Sequence, residues 1–306
     1  MKVRFRIIAL AGLLLGFAAC TNDTTPEPQP ENDMVPVRFS AKPYVEITTR
    51  ATSTGFENGD EIGISCVDTA ATHCDSLRYD SKANGLRYRF NAVSFMATAD
   101  SIMQYRYNVN AFTYYFVYPF KVPVAQPNFK FEISRNQSVG SNYTMSDLAL
   151  QKLTTRDTDI ELSLKRMMAN VDIHITGTEM SSYTIKASIT NVLWTVNVDQ
   201  NAQKAIADET DGRRTVTFNR YISNSDTEAA LHAIIAPQQL TSAQERTVTV
   251  NETKTYVVPL PWTTVNIPSG YRLTMNLELE DDGVIRLTYG GVALSEQPMH
   301  APRKRN

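Results

Sequence analysis

From Val35 onward the chain alternates apolar and polar residues, a period of two that marks strands with one face buried and one in water. Val35, Val37, Phe39 and Ala41 alternate with Pro36, Arg38 and Ser40. The pattern returns at Tyr105/Tyr107/Val109/Ala111 and at Tyr114/Phe116/Tyr118/Phe120. Later it recurs at Ile160/Leu162/Leu164, Val171/Ile173/Ile175, Trp194/Val196/Val198, Tyr256/Val258/Leu260 and Leu273/Met275/Leu277/Leu279. Asn84-Gly85, Asp211-Gly212 and Asp282-Gly283 fall between such runs, and each dipeptide supplies the positive φ of a tight hairpin. Short helical stretches are predicted at Met145–Leu153 and Lys165–Asn170. So many strands predict an all-β protein built from paired β-sandwiches. The polar run Thr154–Asp159 lies between a helical stretch and a new strand, and it divides the globular part into residues 35–158 and 159–306.

The first residues follow another pattern. Lys2, Arg4 and Arg6 precede an apolar run from Ile7 to Ala19, which is shorter than the roughly 20 residues needed to cross a bilayer. The run ends in Leu15-Gly16-Phe17-Ala18-Ala19-Cys20, small residues giving a peptidase access to the backbone before a cysteine. Residues 1–19 therefore read as a secretory leader and Cys20 as the lipidated first residue of an exported protein, with Phe17 departing from the more usual Leu. Residues 20–34 form a tether. Thr21–Asp33 holds Pro, Thr, Asn and acids but no aliphatic side chain, so it cannot offset the entropy of ordering. An anchor of this kind places the chain at the outer membrane.

Composition narrows the field without choosing a function. Of the 306 residues 42% are hydrophobic and 20% charged, enough for real cores. Formal net charge is −2, and loss of the three leader cations takes the mature chain to −5. A mildly acidic chain without clustered Lys or Arg argues against a nucleic-acid partner, and Arg303-Lys304-Arg305 reads as a solvated end.

The residues that carry chemistry are sparse. No nucleophile elbow, zinc-protease helix, phosphate loop or dinucleotide fingerprint is present, so no catalytic or metal site and no cofactor is expected. His73, His174, His232 and His300 are scattered; His174 alternates with Val171, Ile173 and Ile175 and is expected to face solvent. Asp281-Asp282 and Asp208/Glu209/Asp211 suit turns, and the second group lacks the ligand spacing of a calcium loop. Cys66 and Cys74 would lie in an oxidising compartment, either bridged or as two unpaired thiols. Arg50, flanked by Thr49, Ala51 and Thr52 between a strand and the Phe56 turn, is either a protease site or a solvated loop residue. Trp194 is expected in a core, and Trp262, after Pro261, in a loop or edge.

A series of short segments then resembles one family. Thr49-Arg50-Ala51 followed by Phe56-Glu57-Asn58-Gly59-Asp60-Glu61-Ile62-Gly63-Ile64 is similar to the opening of fimbrillin-like proteins, the pilins and accessory subunits of type V pili in Bacteroides-type bacteria. Tyr115–Phe120, with its Tyr118-Pro119, Asn136-Gln137-Ser138 and Ser146-Asp147-Leu148 follow in the family's order. So do Leu162–Val171, Ala236-Pro237-Gln238-Gln239 and Ser269-Gly270-Tyr271. Two departures stand out: the family more often has His at Lys165 or Arg166, and its final strand with a Trp is missing after Leu294.

The resemblance implies two tandem transthyretin-like β-sandwich domains and cleavage between Arg50 and Ala51 that frees an N-terminal strand, residues 35–50. It implies a structural pilus subunit (stalk, anchor or tip) rather than an enzyme, whose partners are other subunits joined by strand donation. Because alternation is lost after Leu294, the chain is expected to be either a terminal or accessory subunit or one whose donor is the Val284–Leu294 segment. An adhesion partner would be a host or bacterial surface glycan or protein; the alternative reading is a surface lipoprotein that binds glycans. Asp68-Thr69-Ala70, Asp75-Ser76-Leu77 and Asp100-Ser101-Ile102 resemble O-glycosylation acceptors of exported proteins, at Thr69, Ser76 and Ser101.

Overall fold

The computed structural model describes residues 34–41, 56, 58–68, 86–91, 93–98, 104–106, 111–121, 128–221, 227–281 and 285–296. These are almost wholly β, as the alternation requires. An eight-stranded sheet forms the first half. Its order is β10 (Asp159–Leu162), β2 (Arg38–Ala41), β5 (Ser94–Ala97), β4 (Leu86–Phe90), β3 (Glu61–Asp68), β7 (Phe112–Tyr118), β9 (Ala149–Thr155) and β11 (Lys165–Arg166). The strands at its two ends, β10 and β11, are separated in the chain by Ser163 and Leu164 alone. Two residues span no more than about 11 Å from Cα to Cα across the gap, so the sheet must curl until its ends nearly meet. Alternate side chains point into the curl and form an aromatic core of Phe39, Phe56, Tyr88, Phe90, Phe95, Phe112, Tyr114 and Phe116. A separate two-stranded piece pairs β1 (Met34–Pro36) with β6 (Gln104–Arg106).

The second half is a sandwich. One layer is β17 (Asn219–Tyr221), β18 (Glu228–Ile235), β12 (Ala169–Gly177), β23 (Tyr271–Asp281) and β24 (Ile285–Glu296), with β12 and β23 parallel and the other neighbours antiparallel. A four-stranded sheet holds β16 (Arg213–Thr217), β13 (Ile185–Leu193), β20 (Arg246–Val250) and β21 (Lys254–Val257). Smaller sheets join β15 (Lys204–Ala207), β14 (Thr195–Asp199) and β8 (Asn128–Glu132), and β19 (Gln238–Thr241) with β22 (Thr264–Ile267). Val171, Ile173, Ile175, Leu231, Leu273 and Met275 from the five-stranded layer meet Ile185, Ile189, Val216 and Val248 in an aliphatic core.

The two cores interleave along the chain. Phe131, Ile133, Tyr143 and Leu148 belong to the second, while Ile160, Leu162 and Leu164 belong to the first. This interleaving spans the Thr154–Asp159 stretch. The stretches expected to be helical are mostly extended: Thr144–Ser146 is one 3-10 turn, Ala149–Thr155 is β9, and Lys165–Asn170 is β11 and the start of β12. Pairing of β9 with β7 along seven residues outweighs a weak local helical preference.

Candidate functional site

The N-terminal strand is the first place where structure and expected chemistry meet. β2 is not an edge strand: it lies between β10, to which it runs parallel, and β5, to which it runs antiparallel. Val37, Phe39 and Ala41 face inward and are buried, as their spacing predicts. The Phe39 ring sits edge-on among Tyr88, Tyr114 and Phe116, with centroids 5.1, 6.1 and 5.6 Å away. Outward, Arg38 and Asp159 make an exposed ion pair at 3.5 Å, worth little in water. Removal of β2 would therefore open an aromatic groove and leave two strands, β10 and β5, each with an unpaired edge.

Cys20, Arg50, Ala51, Cys74, Thr69, Ser76 and Ser101 lie outside the described residues. Cys66 is described: it faces the first core from β3, opposite Tyr114 on β7. At the other end of the fold, β24 pairs with β23 along its whole length and forms the edge of the five-stranded layer. Leu287 and Val292 are half-buried, whereas Tyr289 and Leu294 are 36% and 41% exposed.

The quoted motifs supply a set of buried polar contacts. Gln137 is fully buried, and its side-chain amide behaves as a piece of strand. Its Oε1 accepts from the Ile234 N–H at 2.8 Å, and its Nε2 donates to the carbonyls of Ile234 at 2.7 Å and Ser134 at 3.1 Å. Gln238 does the same for Leu193, accepting from its N–H at 3.0 Å and donating to its carbonyl at 3.1 Å. Ser146 donates to the Asn142 carbonyl at 2.6 Å and accepts from the Ser134 N–H at 2.9 Å. The next residue, Asp147, pairs with Arg166 at 3.1 Å, both nearly buried. Burial pushes the Asp147 carboxyl up, and the charges of Arg166 and Arg272 pull it part of the way back. Gly270, at φ +76, donates to the Met168 carbonyl at 2.9 Å; a Cβ there would lie 3.2 Å from the Arg166 carbonyl oxygen.

The outer face of the five-stranded layer carries a charge cluster that the alternation does not reveal. Asp172 is fully buried, 2.9 Å from both His232 Nδ1 and Arg272 Nε. Burial alone would raise the Asp172 carboxyl. The imidazoles of His174 and His232 and the charge of Arg272 outweigh it and hold the group well below the usual carboxylate range. His174, expected in solvent, is instead half-buried between Asp172 at 4.0 Å and Glu228 at 3.4 Å. The neighbouring Asp172 carboxylate raises its pKa against the opposing effect of burial, and Glu228 adds to the rise. Tyr143 covers the cluster: its hydroxyl accepts from Asn170 Nδ2 at 3.0 Å and its ring lies 5.9 Å from that of His232.

The acidic turn is likewise self-satisfied: Asp208 caps Thr210 and lies 2.8 Å from Lys130. Among the described residues no group of His, Cys, Asp and Glu is arranged to hold a metal ion.

Residues 49–291 match the fimbrillin-like family. The chain belongs to that family. The match begins beyond β2. A search of curated protein sequences finds no match. Among solved structures, candidate cell adhesion proteins of Bacteroides uniformis and Bacteroides ovatus share its fold, each at 14% identity with a TM-score of 0.62. The superpositions cover 88% and 89% of this chain and 100% of each of theirs. A third, from Bacteroides fragilis, has a TM-score of 0.53 at 14% identity and covers 86% of this chain and 99% of its own.

Proposed function

We propose that this fimbrillin-like protein is a structural subunit of a cell-surface pilus that joins its neighbours by strand exchange after proteolysis at Arg50. The position of β2 carries the reading. A strand held between two others over an aromatic groove is a poor candidate for removal unless something replaces it. A donated strand from another subunit would restore the pairing of β5 and β10 and refill the Phe39 site.

Export and anchoring fit this role. The leader and Cys20 would deliver the chain to the outer membrane, and residues 21–33 would hold the first domain away from the lipid. As donor, β24 suits the part: it is long and buries little of itself, with Leu287 and Val292 half-buried and Tyr289 and Leu294 exposed. An element with few buried apolar contacts costs least to detach.

Electron microscopy of the native cell surface with an antibody to this chain tests the assignment. Label along or at the ends of filaments supports it, and label confined to filament-free membrane contradicts it. Metabolic labelling with a fatty-acid probe tests the anchor: wild-type protein should be marked, and Cys20→Ala protein should not.

A further inference from the structure

The two tryptophans are used differently. Trp262 is 47% exposed, whereas Trp194 packs partly against the second core and is not wholly enclosed by it. Trp194 lies at the break between β13 and β14, where its Nε1 donates to the Asp211 carbonyl at 3.4 Å. It forms part of the wall of an open cleft of about 710 Å³, together with Arg135, Asn136, Asn142, Thr215 and Thr217.

The cleft arises from the path of the chain after β8. The Ile133 N–H donates to the Trp194 carbonyl at 3.0 Å, and the segment then swings across to the end of β16. There the Thr217 N–H donates to the Arg135 carbonyl at 2.8 Å, and the Gln137 N–H to the Thr217 carbonyl at 3.2 Å. The walls are fixed by their own bonds: Asn142 Nδ2 donates to the Asn136 carbonyl at 2.7 Å and Thr217 Oγ1 to Asn136 Oδ1 at 2.9 Å. Buried Gln137 pins the whole segment to Ile234. A site held this way is pre-organised and gives up little entropy on binding.

Its charge is one-sided. The Arg214 guanidinium lies over the Trp194 ring, 5.3 Å from the centroid. The described residues place no carboxylate in an ion pair with Arg135 or Arg214, and Asp211, the nearby acid, is already met by Thr195 Oγ1 at 2.5 Å and Lys130 Nζ at 3.8 Å. An indole wall, the Asn and Thr side chains of the rim and the Arg135 guanidinium, with Arg214 against the indole, match a ligand with an apolar edge, several hydroxyls and a negative charge.

We propose that this cleft binds an acidic sugar, a uronate or sialate residue of a surface glycan, with its C–H edge against Trp194 and its carboxylate at Arg135. The inference does not rest on strand exchange, since the cleft is complete within one chain.

Titration of the full mature chain in detergent, followed by tryptophan fluorescence in a Trp262→Phe background, makes Trp194 the sole reporter. Sialyllactose and a galacturonate oligosaccharide are the probes, with lactose as the neutral control. A saturable change with at least one acidic probe is expected, weakened about tenfold or more by Arg135→Gln, as for loss of a charge-assisted contact. Arg135 is exposed, so that variant should fold; Arg214→Gln provides a second. No saturable change with either acid, an equal response to lactose, or unchanged binding in both variants would overturn the proposal. A chain that binds acidic sugar but never enters a filament would sink the pilus reading and leave this one standing.

Discussion

Two buried glutamines, Gln137 and Gln238, each satisfy backbone groups that the neighbouring strand leaves open. Gln137→Leu keeps the volume but strands the Ile234 N–H and carbonyl. Each buried group left unpaired costs about 1–3 kcal/mol, so a large fall in the denaturation midpoint is expected. Both residues stood out in the sequence as members of recurring motifs, but nothing in their spacing shows that an amide side chain is serving as backbone. The Asp172 cluster was hidden altogether. Asp172 and His174 occupy the polar positions of an alternating strand, which read as solvent-facing until the loop carrying Tyr143 covers that face. His174 makes the cluster testable. Its folded pKa is raised, so the stability it contributes is full below the unfolded imidazole value of about 6.5 and fades as pH rises through the folded value. Asp172 runs the other way: its stability is present above about 3.9 and is lost as pH falls through its lowered value. Urea melts at about pH 5.5 and about pH 8.5, either side of the ordinary imidazole value, should show a more stable protein at the lower pH. In His174→Gln that difference should shrink, and an unchanged difference would remove His174 from the account.

At the scale of elements, the period-two pattern was the strongest signal, and it placed Val37, Phe39 and Ala41 on the inward face correctly. It failed where pairing depends on distant partners. Local composition around Met145–Leu153 suggests a helix, yet β7 provides a template that turns Ala149–Thr155 into a strand. Nor does alternation say that β2 is internal rather than an edge, because its parallel neighbour β10 lies far along the chain. Truncating Phe39 to Ala should cost about 3–5 kcal/mol, the range for emptying a packed aromatic site. The loss should fall on the first core and leave the second nearly untouched. Differential hydrogen exchange would read this as deprotection of β4, β5 and β7 with β12 and β23 unchanged; uniform deprotection would mean that the halves melt as one. β24 should behave oppositely. Its half-exposed side chains predict faster exchange than in β12, although the strands share one sheet.

For the whole molecule, fold class was legible from the alternation and family from the order of motifs: no single motif was specific, but their succession along the chain was. The way the halves join was not. Leu148 belongs to one core and Ile160, later in the chain, to the other, and sequence adjacency conceals this exchange. The same weave gives the central functional claim its physical form, because β2 is held by β10, which follows the linker between β9 and the second half. Limited trypsin digestion of the mature chain, read by gel mobility in detergent and by mass, tests that claim most directly. The account predicts a first cut after Arg50, release of the fragment ending there, and detergent-resistant oligomers of the remainder, alone or with a partner fimbrillin; Arg50→Ala protein should stay monomeric. A protein cut at Arg50 that remains a stable monomer and accepts no strand from any co-expressed fimbrillin would contradict it.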